Sequence, residues 1–168
     1  MDATAVAALN ALLDREVAAA HGLLSALEAE RAALTGFDVA ALDSATIEKE
    51  RLVADFDRLE GNRQRLLARF DFGPARGDMV ALIRAVEDPL YKEDSRKAGP
   101  LATRWRRLVG LIERCRDNNQ RNGMIIGLQT RRVAQSLNVL RTGRPDKLTY
   151  GKVPYDGLGA AARALGRV

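Results

Sequence analysis

Apolar residues recur along this chain at helical spacing, and four segments carry the repeat. In the first, about Ala3 to Leu34, the residues Leu9, Leu13, Ala20, Leu23, Leu27 and Leu34 share one face while Asp14, Glu16, Glu28, Glu30 and Arg31 fall elsewhere. That pattern predicts an amphipathic helix. Thr35-Gly36 interrupts it as a corner or a kink, and Asp38 stands where a carboxylate can cap the next helix. The second seam reads Leu42, Ala45, Lys49, Leu52, Phe56, Leu59, Arg63, Leu66, Phe70, in steps of three and four. Gly73-Pro74-Ala75-Arg76-Gly77 is expected to end it, because proline lacks an amide donor and glycine loosens the backbone. A short helix from about Asp78 to Glu87 offers Met79, Leu82, Ile83 and Val86 to a core, and Pro89 stops it. The charged stretch 88–99 then reads as a connection to Pro100, the first residue of a long helix reaching about Arg141.

That last helix holds the longest repeat: Leu101, Trp105, Leu108, Ile112, Cys115, Asn119, Asn122, Ile126, Gln129, Val133, Ser136, Leu140. It is a heptad seam of about eleven turns, the spacing that winds helices around one another. Its middle, Asn118-Asn119-Gln120-Arg121-Asn122-Gly123, replaces hydrocarbon with amides. A buried amide without a partner costs roughly 1 to 3 kcal/mol, so such a layer is kept to set register, to choose a partner, or both. On this pattern, leucine at positions 119 and 122 is expected to raise thermal stability and relax partner choice. Gly123 costs about 1 kcal/mol relative to alanine inside a helix, which implies a close helix approach or an intended weak point. Two seam positions in the second helix are cationic. Lys49 and Arg63 are read first as long stems lying on apolar surface with their charge in water, and alternatively as partners for acids of the first helix.

Composition narrows the class. Only 5% of residues are aromatic, while Ala, Leu, Arg and Glu abound, as suits long helices packed through aliphatic side chains. The expectation is an all-α, elongated helical bundle or antiparallel coiled coil of about three long helices and one short one. Residues 1–141 form the bundle, and 142–168 form a Gly/Pro-containing docking tail. Charge is uneven: residues 1–37 carry a net −3, 101–140 a net +6 and 141–168 a net +4. The eight arginines of 101–140 raise nucleic acid as a partner, but they are spread around one helix, and acidic earlier helices can absorb part of their charge.

Candidate chemistry is sparse. His21 is the one histidine, no bundle-type Glu-x-x-His iron motif occurs, and no serine has a recognisable base, so neither an enzyme nor a metal or other cofactor is expected. Cys115, the one cysteine, sits on the apolar seam and reads as a buried thiol. The chain opens Met1-Asp2-Ala3-Thr4 without a secretory apolar block, and no run of about eighteen apolar residues could span a bilayer, so a cytoplasmic protein is expected.

Several short blocks carry a resemblance: Glu30-x-x-x-Leu34, Asp38-x-x-x-Leu42, Lys49-Glu50-x-Leu52, Asn119-x-x-Asn122-Gly123-x-x-Ile126 and Leu148-Thr149-Tyr150-Gly151. In this order they resemble the FlgN-type flagellar export chaperones. The resemblance implies a cytosolic helical chaperone of flagellar type III secretion. Such a protein holds the C-terminal helices of hook-filament junction proteins, prevents premature assembly, and delivers them to the export gate and its ATPase complex. It implies that Asn119, Asn122, Gly123 and Ile126 belong to a cargo-handling helix; the partner-binding surface is expected to continue along that helix through Gln129, Val133, Leu137 and Leu140. Leu148, Tyr150 and Gly151 would belong to a tail contact, with Tyr155 a further aromatic anchor there. Lys152-Val153-Pro154 separate Tyr150-Gly151 from Tyr155-Asp156-Gly157, a departure from the family's tail pattern. The rival readings are a self-associating structural coiled coil and a basic nucleic-acid-binding bundle.

Overall fold

The computed structural model describes residues 3–87 and 99–142, and these form four helices: α1 (Ala3–Gly36), α2 (Val39–Ala68), α3 (Arg76–Glu87) and α4 (Pro100–Thr142). α1 is the central helix. It buries Leu12, Glu16, Leu23, Ala26 and Glu30 as well as Leu9, Leu13, Ala20, Leu27 and Leu34, more than one stripe, because it packs along both α2 and α4. Glu16 meets Arg63 and Glu30 meets Lys49, so α2 runs antiparallel to α1. Where the two helices approach closely, a Cβ at Gly22 would stand 3.2 Å from a methyl of Leu52. α4 runs parallel to α1, whereas α3 runs back along α4, with Arg76 near Glu113 at one end and Glu87 at Leu101 at the other. Met79, Leu82 and Ile83 of α3 close the core over Leu101, Trp105, Leu108 and Ile112 of α4. The expected Val86 is only half-buried.

Helix ends obey rules the apolar pattern does not reveal. α1 passes through Thr35-Gly36, and the corner is made by Phe37, whose φ is 56°. The Asp38 amide reaches back to the Ala33 carbonyl at 3.0 Å, closing a left-handed C-terminal cap, and the Asp38 carboxylate accepts from the Ala41 amide at 3.0 Å to start α2. α2 stops at Ala68, before the glycine-proline stretch expected to end it. Asp71 takes φ 60°, and the Phe72 amide bonds the Leu67 carbonyl at 3.2 Å, folding Phe72 onto the core. Phe70, read as the last seam position, therefore lies beyond the helix. α3 begins at Arg76, with the Asp78 carboxylate accepting from the Ala75 amide at 3.0 Å. Pro100 does open α4. The buried Glu87 carboxylate accepts from the Leu101 amide at 2.7 Å and the Ala102 amide at 3.3 Å, satisfying first-turn donors where the helix dipole favours an anion. Gly99 lacks a Cβ where that carboxylate passes.

The Phe37 side chain is 74% exposed, so its left-handed backbone is not offset by burial. Phe37→Gly is expected to stabilise the chain by about 0.5 to 1 kcal/mol, because glycine enters this conformation without the Cβ clash. A thermal melt checks this; a lower midpoint would mean that the ring packs where it is seen exposed.

Candidate partner-binding helix

α4 is joined to α1 by a ladder with a seven-residue period. Cys115 Sγ donates to the Ala20 carbonyl at 3.5 Å, Asn122 Nδ2 to the Leu27 carbonyl at 2.8 Å, and Gln129 Nε2 to the Leu34 carbonyl at 2.7 Å. Each pair is 95 residues apart, so a single parallel register holds from the middle of α1 to its last turn. Burial pushes the Cys115 thiol up to about 11, which keeps it neutral and able to donate at physiological pH. Gln129 supplies a donor to a carbonyl in the last turn of α1, where the helix itself begins to run out of amides.

The middle rung is the centre of a wider network. Asn122 is 1% exposed, and its Nδ2 also donates to Glu30 Oε2 at 2.8 Å while its Oδ1 accepts from Arg31 Nε at 3.2 Å. The same Arg31 donates to Asn118 Oδ1, and Glu30 accepts from Lys49 of α2. One polar layer thus ties together the three long helices. Asn119 takes no part in it; the half-buried Asn118, which the sequence pattern left off the seam, does. A second buried polar site lies lower in the bundle. Arg63 Nε meets both Glu16 oxygens, at 3.0 and 3.1 Å, and its guanidinium lies 5.0 Å from the Trp105 ring centroid. Burial holds the Glu16 carboxyl above its ordinary range, and the Arg63 charge opposes that shift. Both seam cations of α2 are therefore paired with acids of α1 rather than extended into water, because α1 places a carboxylate opposite each of them.

Beyond Gln129 the helix loses its neighbour. At an offset of 95, Gly36 at the end of α1 is level with Arg131, yet α4 continues to Thr142. The projecting segment is about 16 Å long at 1.5 Å per residue. The seam runs on along it, but Val133 is 60% exposed, Leu137 61% and Leu140 82%. Ser136, which stands where the ladder's next rung would be, donates instead to the Arg132 carbonyl of its own helix. The expected seam is thus buried in its lower part and bare at its upper end.

The structure places the sequence-derived candidates unequally. Asn122 and Gln129 bond to α1, Gly123 and Ile126 are half-buried beside them, and Asn119 is half-buried outside the network. Val133, Leu137 and Leu140 share the projecting end. Leu148, Tyr150, Gly151 and Tyr155, with the rest of the tail expected after Arg141, lie outside the described residues apart from the final helical position Thr142. Sequence reasoning placed Asn118 in the amide block but missed Glu30 and Arg31 as members of the polar layer, although the seven-residue spacing of Cys115, Asn122 and Gln129 was there to suggest a ladder.

His21 sits beside Arg107, with Nε2 at 3.0 Å from Nη2, and Arg104 pairs with Asp14 at 2.7 Å, so part of the α4 charge is taken up by α1. Among the described residues no helix is long and apolar enough to cross a membrane.

The chain is similar to known flagellar proteins in both sequence and fold. The solved structure of a flagella synthesis protein FlgN from Pseudomonas aeruginosa superposes with a TM-score of 0.58 at 24% identity, covering 75% of this chain and 89% of that one, a likeness of fold. No curated protein sequence matches the chain significantly. The FlgN protein family matches residues 1–153, which take in all four helices and the first part of the tail, and the chain belongs to that family.

Proposed function

We propose that this protein is a cytoplasmic, non-enzymatic flagellar export chaperone that holds the C-terminal helices of hook-filament junction proteins and presents them to the export gate. The observation that carries the reading is the length of α4: it outlasts α1, and Val133 and Leu140 of its seam, with Leu137 beside them, stand exposed on the part that projects. An apolar seam that has lost its partner helix accepts another amphipathic helix in the same place, as in helix-in-groove recognition. A cargo helix laid along the projecting segment would continue the line of α1, with Val133 and Leu140 below it and the Ser136 hydroxyl within its reach. The segment beyond Thr142, with Leu148, Tyr150 and Tyr155, is assigned the contact with cargo or the gate, on the family resemblance of its Tyr-Gly pair.

The test is titration calorimetry of the full chain against the C-terminal helical segment of the junction protein from the same organism, at two salt concentrations. Tight binding with a negative heat-capacity change and little salt dependence is expected. Leu137→Glu/Leu140→Glu should weaken it by at least about 100-fold, since two leucines each contribute roughly 1.5 to 3 kcal/mol when buried. The melting curve should hold, because both side chains face solvent in the free chain. Unchanged affinity in this variant would refute the site. A stable homodimer dissolved by the same substitutions, with no heat from the segment, would assign the surface to self-association instead.

A further inference from the structure

At the opposite end of the bundle, α1 and α2 form an open groove of about 550 Å³ on a face that the core packing of α3 leaves uncovered. α1 contributes Ala8, Ala11, Leu12 and Arg15, and α2 contributes Asn62, Arg65 and Leu66, with Arg69 at its C-cap. Each set occupies positions i, i+3, i+4 and i+7, the single stripe that one helix presents to another. The two stripes run antiparallel, so together they make the valley in which a third helix packs in a bundle. The floor is low and apolar, with two alanines on the α1 side and a leucine from each helix. The rim is cationic: Arg15, Arg65 and Arg69 line it, and among the described residues no carboxylate does. Among the described residues Arg65 is held by its own helix alone, to the Gly61 carbonyl at 3.3 Å and Asn62 Oδ1 at 2.6 Å, and Arg15 and Arg69 have no ion-pair partner.

We infer that this groove is a second docking site, for an acidic amphipathic helix of a partner protein, whose leucine-type stripe lies on the apolar floor and whose flanking carboxylates meet the three arginines. A second copy of this chain does not fit, because pairing groove to groove would set the arginines against one another. Nor does the C-terminal tail, whose residues 143–168 carry five basic and two acidic side chains. The groove lies about 35 Å along the bundle axis from the projecting end of α4, measured at 1.5 Å per residue on the common register. Occupancy of one site leaves the other open, and the chain can bridge two proteins.

The probe is an eighteen-residue helical peptide with leucine at heptad positions a and d and glutamate at e and g, compared with the same peptide carrying lysine at e and g. Like charges at e and g keep each peptide from pairing with itself. Binding to the full chain is monitored by fluorescence anisotropy. The glutamate peptide should bind at least ten times more tightly than the lysine peptide. Arg65→Glu/Arg69→Glu should remove that preference, while the control Arg114→Glu/Arg121→Glu, on an exposed part of α4, should not. Both pairs are solvent-facing, so the folded chain should survive the changes. Leu137→Glu/Leu140→Glu should leave the glutamate peptide unaffected, which separates this site from the proposed cargo site. Equal affinity for the two peptides, or a preference that persists in Arg65→Glu/Arg69→Glu, would overturn the inference. So would an oligouridine that binds through these arginines when the glutamate peptide does not.

Discussion

Arg63→Met is expected to lower stability at pH 7 by about 3 to 5 kcal/mol, because it leaves the Glu16 carboxylate buried with no nearby cation. Glu16 is 0% exposed, Arg63 2%, and the next acid, Glu60, stands 3.9 Å from the guanidinium, so removing the arginine leaves two acids on one buried patch. The loss should depend on pH. In the native chain, burial already raises the Glu16 carboxyl above its ordinary value, and losing the Arg63 charge raises it further. A group whose folded pKa is raised favours the native state when protonated. Its contribution is fully present below the unfolded value and is lost as pH rises through the folded one. The deficit of Arg63→Met relative to the parent should therefore shrink as pH falls toward 4.5, the reference value for this carboxyl. The double variant Glu16→Leu/Arg63→Met should lie within about 1 kcal/mol of the parent, since a well-packed apolar pair replaces two desolvated charges and loses only the contact with Trp105 and the long 3.9 Å pairing with Glu60. Urea melts of the parent, Glu16→Leu, Arg63→Met and the double variant close the cycle. If the double variant were as unstable as Arg63→Met, the ion pair would be strongly stabilising relative to hydrocarbon, the reverse of the expected balance.

The existence and order of all four helices were legible because a 3.5-residue apolar period survives wherever a helix packs along another. What was not legible depended on contacts between residues distant in the chain. The ends of α1 and α2 are made by Phe37 and Asp71 in left-handed conformations, where glycine was the residue to look for. At Asp71 the reason is tertiary, since the turn folds Phe72 back onto the core over Leu67. Whether Lys49 and Arg63 extend into water or pair inward turns on which α1 residues stand opposite, and only the α1–α2 register brings Glu30 and Glu16 there. The upper seam of α4 shows the same limit. Its periodicity is unbroken from Leu101 to Leu140, but burial stops where α1 stops, and nothing within α4 says where that is.

Asn122→Leu is the substitution for which the structure reverses the sign expected from the pattern. An amide in a heptad seam normally lowers stability, and leucine in its place raises it. Here Asn122 donates to the Leu27 carbonyl and Glu30 and accepts from Arg31, all in a buried layer, so leucine would leave a carboxylate oxygen and a guanidinium N–H without their partner. Each group so stranded costs about 1 to 3 kcal/mol, and more when charged. A loss of about 3 kcal/mol is expected, which is roughly 6 to 12 °C in melting temperature for a chain of this size. Asn119→Leu should change the midpoint little, because Asn119 lies outside the layer. The two asparagines sit three residues apart on one seam, yet about 100° of rotation per residue separates their directions by roughly 60°, and only Asn122 points at the place where α1 and α2 meet. The layer also bears on binding. It fixes α4 against α1 at an offset of 95, and that offset decides how much of α4 projects. A slip of one heptad would either bury Val133 or lengthen the bare end by two turns. Asn122→Leu should therefore also weaken binding of the junction-protein segment without touching the projecting residues. A raised melting temperature in Asn122→Leu, or equal effects from the two asparagines, would show that the seam tolerates hydrocarbon at this position and that the network does not hold the register.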